Sequence, residues 1–228
     1  MTLTPEAPRE DGPRQGGDPA TVPEPGTMGD VGRARIAEAI EVLREKDPFW
    51  AAVAEQMEFR TQLSSRVGDI ALNAEGKLIA NEGFILEAPV EDIAYELAAK
   101  SIYYTGDSFG RGVGKGRLSW NFALQLESSE MLRKQFPWQA KLARDHYFLE
   151  PIHVSSGVIA EDVYDEVRER LDHPEVEIEE DQVVGNEAGA ARRKTVEAAL
   201  ARAPMSPETE GWATRLGVIE SRKKKRTR

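Results

Sequence analysis

A chain of 228 residues without a single cysteine has no disulfide framework, thiolate metal site or cysteine nucleophile open to it. Its 40 acidic residues against 30 Lys and Arg set a formal net charge of −10, so contact with nucleic acid must come from a local basic patch and not from the surface as a whole. The length permits one domain of ordinary size plus tails, or two small ones; a hydrophobic share of 40% allows a core with part of the chain outside it, and no apolar run approaches the ~20 residues of a membrane span.

Residues 1–32 hold Pro5, Pro8, Pro13, Pro19, Pro23 and Pro25, interleaved with glycines and almost no large apolar side chains. Such a segment cannot bury enough surface to offset its ordering entropy, and it is expected to be a disordered arm. It lacks a basic start followed by an apolar run, so no secretory signal is read and the expected location is cytoplasmic or within a soluble particle. From Arg33 onward, Ile36, Ile40 and Leu43 recur at helical spacing. Asp47 and Pro48 read as the N-cap and first-turn proline of a second helix. Its stripe is Trp50, Val53 and Met57, and its end is expected near Val67. Between Asp69 and Glu87, the pairs Ile70/Leu72, Leu78/Ala80 and Phe84/Leu86 alternate around turns at 73–76 and 81–83. This predicts a meander of two or three strands. Pro89 opens a helix with Ile93 and Leu97 inward, ending near Tyr104.

The stretch 106–127 has the strongest pattern in the chain. Gly106, Gly110, Gly112, Gly114 and Gly116 carry Arg111, Lys115 and Arg117 among them. Then Leu118, Trp120, Phe122, Leu124 and Leu126 alternate with Ser119, Asn121, Ala123, Gln125 and Glu127, which predicts a half-buried strand. Downstream, Ser128 or Ser129 reads as the cap of a short helix running through Gln135. Pro137 opens another helix with Trp138 and Leu142 inward, and Pro151 makes 148–154 an edge strand or an irregular passage. A helix over 158–171 packs Ile159, Val163 and Val167 and turns Glu161, Asp162, Asp165, Glu166 and Glu169 to the other face. Val176 and Ile178 alternate within the acidic piece 175–181, a charged edge strand or linker. Residues 187–201 read as a helix. Ser206 and Pro207, with Glu208 and Glu210, open a last one carrying Trp212, Leu216 and Ile219.

Closely spaced glycines let a backbone approach phosphate, but this loop is neither a P-loop nor a dinucleotide fingerprint. Gly114-Lys115 is preceded by Phe109 where a glycine is needed and followed by Gly116 where Ser or Thr is needed. What remains as candidate polyanion or partner contacts is Arg111, Lys115 and Arg117, joined by the terminal cluster Arg222, Lys223, Lys224, Lys225, Arg226 and Arg228. Gly106-Asp107-Ser108 resembles the nucleophile block of the GDSL esterase family, which implies Ser108 as a nucleophile. That family also carries a late Asp-x-x-His pair. The chain offers Asp145-His146 and Asp172-His173, which are spaced differently, so the base would be His146, His153 or His173. Glu150 and His153 have the spacing of carboxylate-bridged metal sites, but those need two such pairs and two more glutamates. No metal and no cofactor are expected.

The reading is therefore an α+β fold: a small, mostly antiparallel sheet packed by helices. The disordered arm takes 1–32, the core domain 33–184 and a helical extension 185–228, which ends in the basic tail. The expected function is a non-catalytic assembly or adaptor subunit of a larger complex, such as a virus-like particle or nucleoprotein. Its partners would be other protein subunits, this chain's own copies included, with no membrane. The alternatives are a nucleic-acid-binding accessory protein and a Ser108-dependent esterase-like hydrolase.

Overall fold

The computed structural model describes residues 29–62, 69–73, 75–145, 152, 154–171, 174–179 and 186–219. Most of the proline-rich arm and all of the basic tail lie outside these residues. The part of the arm that is described, from Asp30, already belongs to a helix, and Gly32 is buried in it. The fold is α+β: a three-stranded sheet surrounded by helices.

Helix α1 (Asp30–Lys46) buries Ile36, Ala39 and Leu43 along one stripe. Asp47 then caps α2 (Pro48–Ala54), its side chain accepting from the Trp50 amide at 3.3 Å, with Pro48 in the first turn. Every residue from Phe49 to Ala54 is buried, so beyond its exposed first residue, Pro48, α2 has no solvent face. It ends at Ala54 and does not continue towards Val67. The chain turns into β1 (Phe59–Gln62), which pairs in parallel with β3 (Leu78–Asn81). Strand β2 (Ile70–Leu72) pairs antiparallel with the other edge of β3, giving the order β1-β3-β2. The β2–β3 turn is as the sequence predicts. The Asn73 side chain accepts from the Lys77 amide at 2.8 Å, and Gly76 takes φ +81°, which suits glycine.

Two expected strands are helices. Phe84 and Leu86 fall in α3 (Glu82–Glu87), because the Asn81 side chain accepts from the Gly83 amide and so acts as an N-cap instead of a turn residue. Arg35 of α1 seals the far end of α3, donating to the carbonyls of Ile85, at 2.6 Å, and of Ala88. Helix α4 (Val90–Thr105) follows and runs through the middle of the main core.

The second correction is larger. The alternating stretch 118–126 lies inside α6 (Arg117–Leu132), reached through the short α5 (Ser108–Arg111). Its alternation is a by-product of burial on two sides. Trp120, Ala123, Leu124, Leu126 and Leu132 are buried, but so are Ser119, Glu127, Ser128 and Ser129, which an amphipathic strand would turn outward. Leu118, assigned to the inner wall of that strand, is exposed. The buried hydroxyls of Ser128 and Ser129 donate to the carbonyls of Gln125 and Leu126, so neither caps a helix start. Pro137 does open α7 (Pro137–Asp145), but Trp138 and Leu142 face outward.

Helix α8 (Ala160–Leu171) packs on α6 through Val163, Tyr164 and Val167 and forms a second apolar cluster with Trp120 and Ile178. Helices α9 (Asn186–Leu200) and α10 (Pro207–Arg215) return to the main core. Val196, Ala199, Trp212 and Ala213 are buried there, and Trp212 meets Trp50 edge to face at 5.8 Å. The 148–154 passage lies almost wholly outside the described residues. Among the described residues no helix is long and apolar enough to cross a membrane.

Candidate functional site

The glycine-rich loop is a packed corner, and its geometry follows from what presses on it. Gly112 lies against Trp120 and Ile178: a Cβ there would stand 2.5 Å from the Trp120 indole nitrogen. Gly114, at φ +74°, faces open space. The loop also pairs with the 176–178 segment. The Gly114 amide donates to Ile178 O, the Ile178 amide to Lys115 O and the Arg117 amide to Val176 O. The acidic piece after α8 is thus bound to the loop. Its Glu175 accepts from the Ser119 amide at 3.1 Å and from the Ser119 hydroxyl, capping α6 from a distance. The Gly116 amide donates to the Tyr164 hydroxyl at 2.7 Å.

Consequently every amide from Gly110 to Arg117 is engaged. Gly110 donates to the Asp107 side chain, Arg111 to Asp107 O, Gly112 to Ser108 O, Val113 to Gly110 O and Lys115 to Gly112 O; Gly114, Gly116 and Arg117 bond as just described. No nest of amides remains over this stretch to cradle a phosphate. Any anion contact here would rest on side chains.

Those side chains differ. Arg111 points inward, with 13% of its side chain exposed, and bridges two carboxylates: Glu127 at 2.8 Å and Glu161 at 2.6 Å. It also donates to Gly106 O and stacks over Trp120 at 5.5 Å. Burial works against its charge, but the bonds and fields of Glu161 and Glu127 outweigh that and raise its pKa. Glu161 is lowered in turn, burial being opposed and overcome by Arg111. Arg111 therefore binds carboxylates of its own chain. Lys115 lies 5.2 Å from the ring centres of both Trp120 and Tyr164, and Arg117 opens α6 at an exposed position.

The residue that sequence reasoning missed is Glu127. It is 1% exposed and receives bonds from three other elements: Arg111 of α5, the Trp212 indole N–H of α10 at 2.5 Å and the Ala160 amide of α8 at 2.7 Å. A carboxylate amid alternating apolar residues looks like the outer face of a strand. Only the neighbouring serines, equally out of place on a helix, hinted at a polar seam.

Ser108 is buried, and its carbonyl accepts from the Trp120 indole at 2.7 Å. Its candidate bases, His146, His153 and His173, lie outside the described residues, as do Glu150 and the basic side chains at 222–228. On α8, Glu161 holds Arg111, Asp162 holds Arg215 at 2.6 Å and Glu166 holds Arg170 at 2.6 Å, while Asp165 and Glu169 are exposed. Among the described residues no group of three or more His, Asp or Glu is arranged to hold a metal ion. On α7, one turn apart, Trp138 and Leu142 are 63% and 50% exposed. No protein-family model, curated protein or solved structure matches this chain.

Proposed function

We propose that this protein is a non-catalytic assembly or adaptor subunit of a larger complex, whose partners are other protein subunits, copies of itself among them. The observation that supports this reading is the outward pair Trp138 and Leu142. Tryptophan is enriched at the centres of interfaces, where it supplies much of the binding energy, and an exposed Trp–Leu pair on one helix face fits that role. The charge pattern suits a second copy: a body that is strongly acidic and a terminus with six basic residues complement each other. The test is the solution mass of the full chain, measured by light scattering with its co-purifying material. A mass above the monomer is expected, falling to the monomer in the variant with Trp138→Ser and Leu142→Ser. A monodisperse monomer carrying neither protein nor nucleic acid overturns the proposal.

The second reading, a nucleic-acid-binding accessory protein, draws on the terminal cluster together with Lys115 and Arg117. It predicts binding that weakens steeply with salt and drops when the last seven residues are removed.

A further inference from the structure

Between α4 and α6, with β2 along one side, lies a cavity of about 680 Å³. That volume falls within the range of small-molecule sites, roughly 300–1,000 Å³. The cavity is distinct from α7 and from the basic side chains at 222–228, so its fate does not bear on the assembly reading.

Two side chains that line it, Ser108 and Gln125, carry polar groups that the fold does not use. Ser108 is 4% exposed. Its carbonyl accepts from the Trp120 indole at 2.7 Å, but its hydroxyl makes no hydrogen bond among the described residues. Gln125 is half-buried. Its backbone carbonyl accepts from the Ser128 hydroxyl at 3.1 Å, and its side-chain amide makes no bond among the described residues. A hydroxyl as deep as that of Ser108 is normally bonded, and the cavity is where a partner can enter.

Their placement limits what that partner is. Trp120 is held to Ser108, and Gln125 lies five residues further along α6, a rise of roughly 7.5 Å. Leu72, Tyr103, Phe109 and Leu124 supply apolar wall. A glutamine amide presents a donor and an acceptor side by side. It is matched by a ligand edge that carries an acceptor and a donor at the same spacing, as the N7 and 6-amino edge of adenine does. A serine hydroxyl is matched by one hydroxyl or amine. The charges favour a neutral occupant. Lys100 and Glu96 neutralise each other at 2.8 Å, and the other charged lining residues, Asp69 and Arg117, are opposite in sign and stand at exposed positions. A charged ligand would have to break the closed pair or leave its own charge uncompensated beside the apolar wall.

We propose that this cavity binds an uncharged planar heterocycle with a hydroxyl-bearing arm, the chemistry of a purine nucleoside. The Gln125 amide pairs with the edge of the base, and the Ser108 hydroxyl bonds a hydroxyl of the sugar. The apolar wall takes the faces of the base, and the two polar contacts fix its direction in the cavity.

The test is calorimetric titration of the full chain with adenosine and with 7-deazaadenosine, which lacks only the N7 acceptor. Adenosine should bind saturably at one site per chain, about tenfold tighter than the deaza compound. Gln125→Leu removes the amide at similar volume. It should weaken adenosine about tenfold and bind the two nucleosides alike. Ser108→Ala should weaken adenosine about threefold without lowering the thermal midpoint, since the hydroxyl it removes bonds nothing in the fold. Absence of saturable binding, equal affinity of the wild type for the two nucleosides, or wild-type affinity in either variant would overturn the proposal. The comparison of the two nucleosides needs only the wild-type chain, so it decides the matter even if a variant fails to fold.

Discussion

Replacing Glu127 with alanine removes an acceptor shared by three helices. The Trp212 indole N–H and the Ala160 amide, bonded at 2.5 and 2.7 Å, would be left buried without partners, each at about 1–3 kcal/mol. Arg111 would keep Glu161, so its charge would not be orphaned, although it would lose its more buried partner. The expected loss is about 3–5 kcal/mol, a large share of the ~5–15 kcal/mol that holds an ordinary domain together. Removing the other partner, Arg111→Ala, leaves a carboxylate that is 1% exposed with only neutral donors, at a cost of about 3–5 kcal/mol. Both single changes break the same pair, so the double variant should lose at least about 1 kcal/mol less than their sum. Urea titration followed by far-ultraviolet circular dichroism, with an unchanged slope, measures all three. A loss under about 1 kcal/mol for Glu127→Ala, or a double variant that is simply additive, would refute the idea that Glu127 ties α5, α8 and α10 together.

The loop glycines should rank by what surrounds them. Gly112→Ala places a methyl group 2.5 Å from the Trp120 indole nitrogen and 2.9 Å from the Ile178 Cδ1, and should cost about 1–3 kcal/mol in thermal or chemical unfolding. Gly114→Ala, with φ +74° and open space, should cost about 1 kcal/mol from backbone strain alone; the reverse order would sink the packing argument. Asp47 gives a pH signature. Burial holds its carboxyl above the ordinary 3.8, against the opposing amide bonds from Trp50 and Phe49. A raised carboxyl contributes stability that is full below 3.8 and lost as the pH rises through the folded-state value. Asp47→Asn keeps a capping oxygen and should remove that decline, which a series of melts from pH 3 to pH 7 would show as a flatter curve. Finally, the variant with Trp138→Ser and Leu142→Ser should leave monomer stability within about 0.5 kcal/mol of wild type, since both side chains are outside the core; a larger loss would mean that they pack inside it.

What could be read from the sequence was mostly local. Asp47-Pro48 and Ser206-Pro207 announce helix starts, and in both cases the cap bond is present, to Trp50 and Thr209 respectively. Pro89 and Pro137 mark their helices, and the 73–76 turn falls where expected. The misses share a cause: the deciding partner is remote in sequence. Helix α6 is capped by Glu175, 56 residues beyond Ser119, and is buried on two sides, so neither a local cap nor a one-sided stripe identifies it. The early end of α2 reflects the pairing of β1 with β3, which no window around residue 60 contains. Trp138 and Leu142 lie on one face as their spacing says, but spacing cannot tell which face meets the core. Of the candidate contacts, the inward turn of Arg111 depended on Glu127 and Glu161, two acids that local patterning placed on solvent faces.

The remote cap on α6 bears on how the chain is made. A nascent polypeptide that has not yet reached residue 175 offers residues 118–126 with neither the Glu175 carboxylate nor the pairing of 176–178. During that interval the alternating side chains suit a sticky extended ribbon as well as a helix. Translation arrested after residue 171 should therefore yield chains that aggregate and stain with β-sheet dyes, and arrest after residue 219 should not. Equal solubility of the two would show that α6 forms without its late-arriving cap.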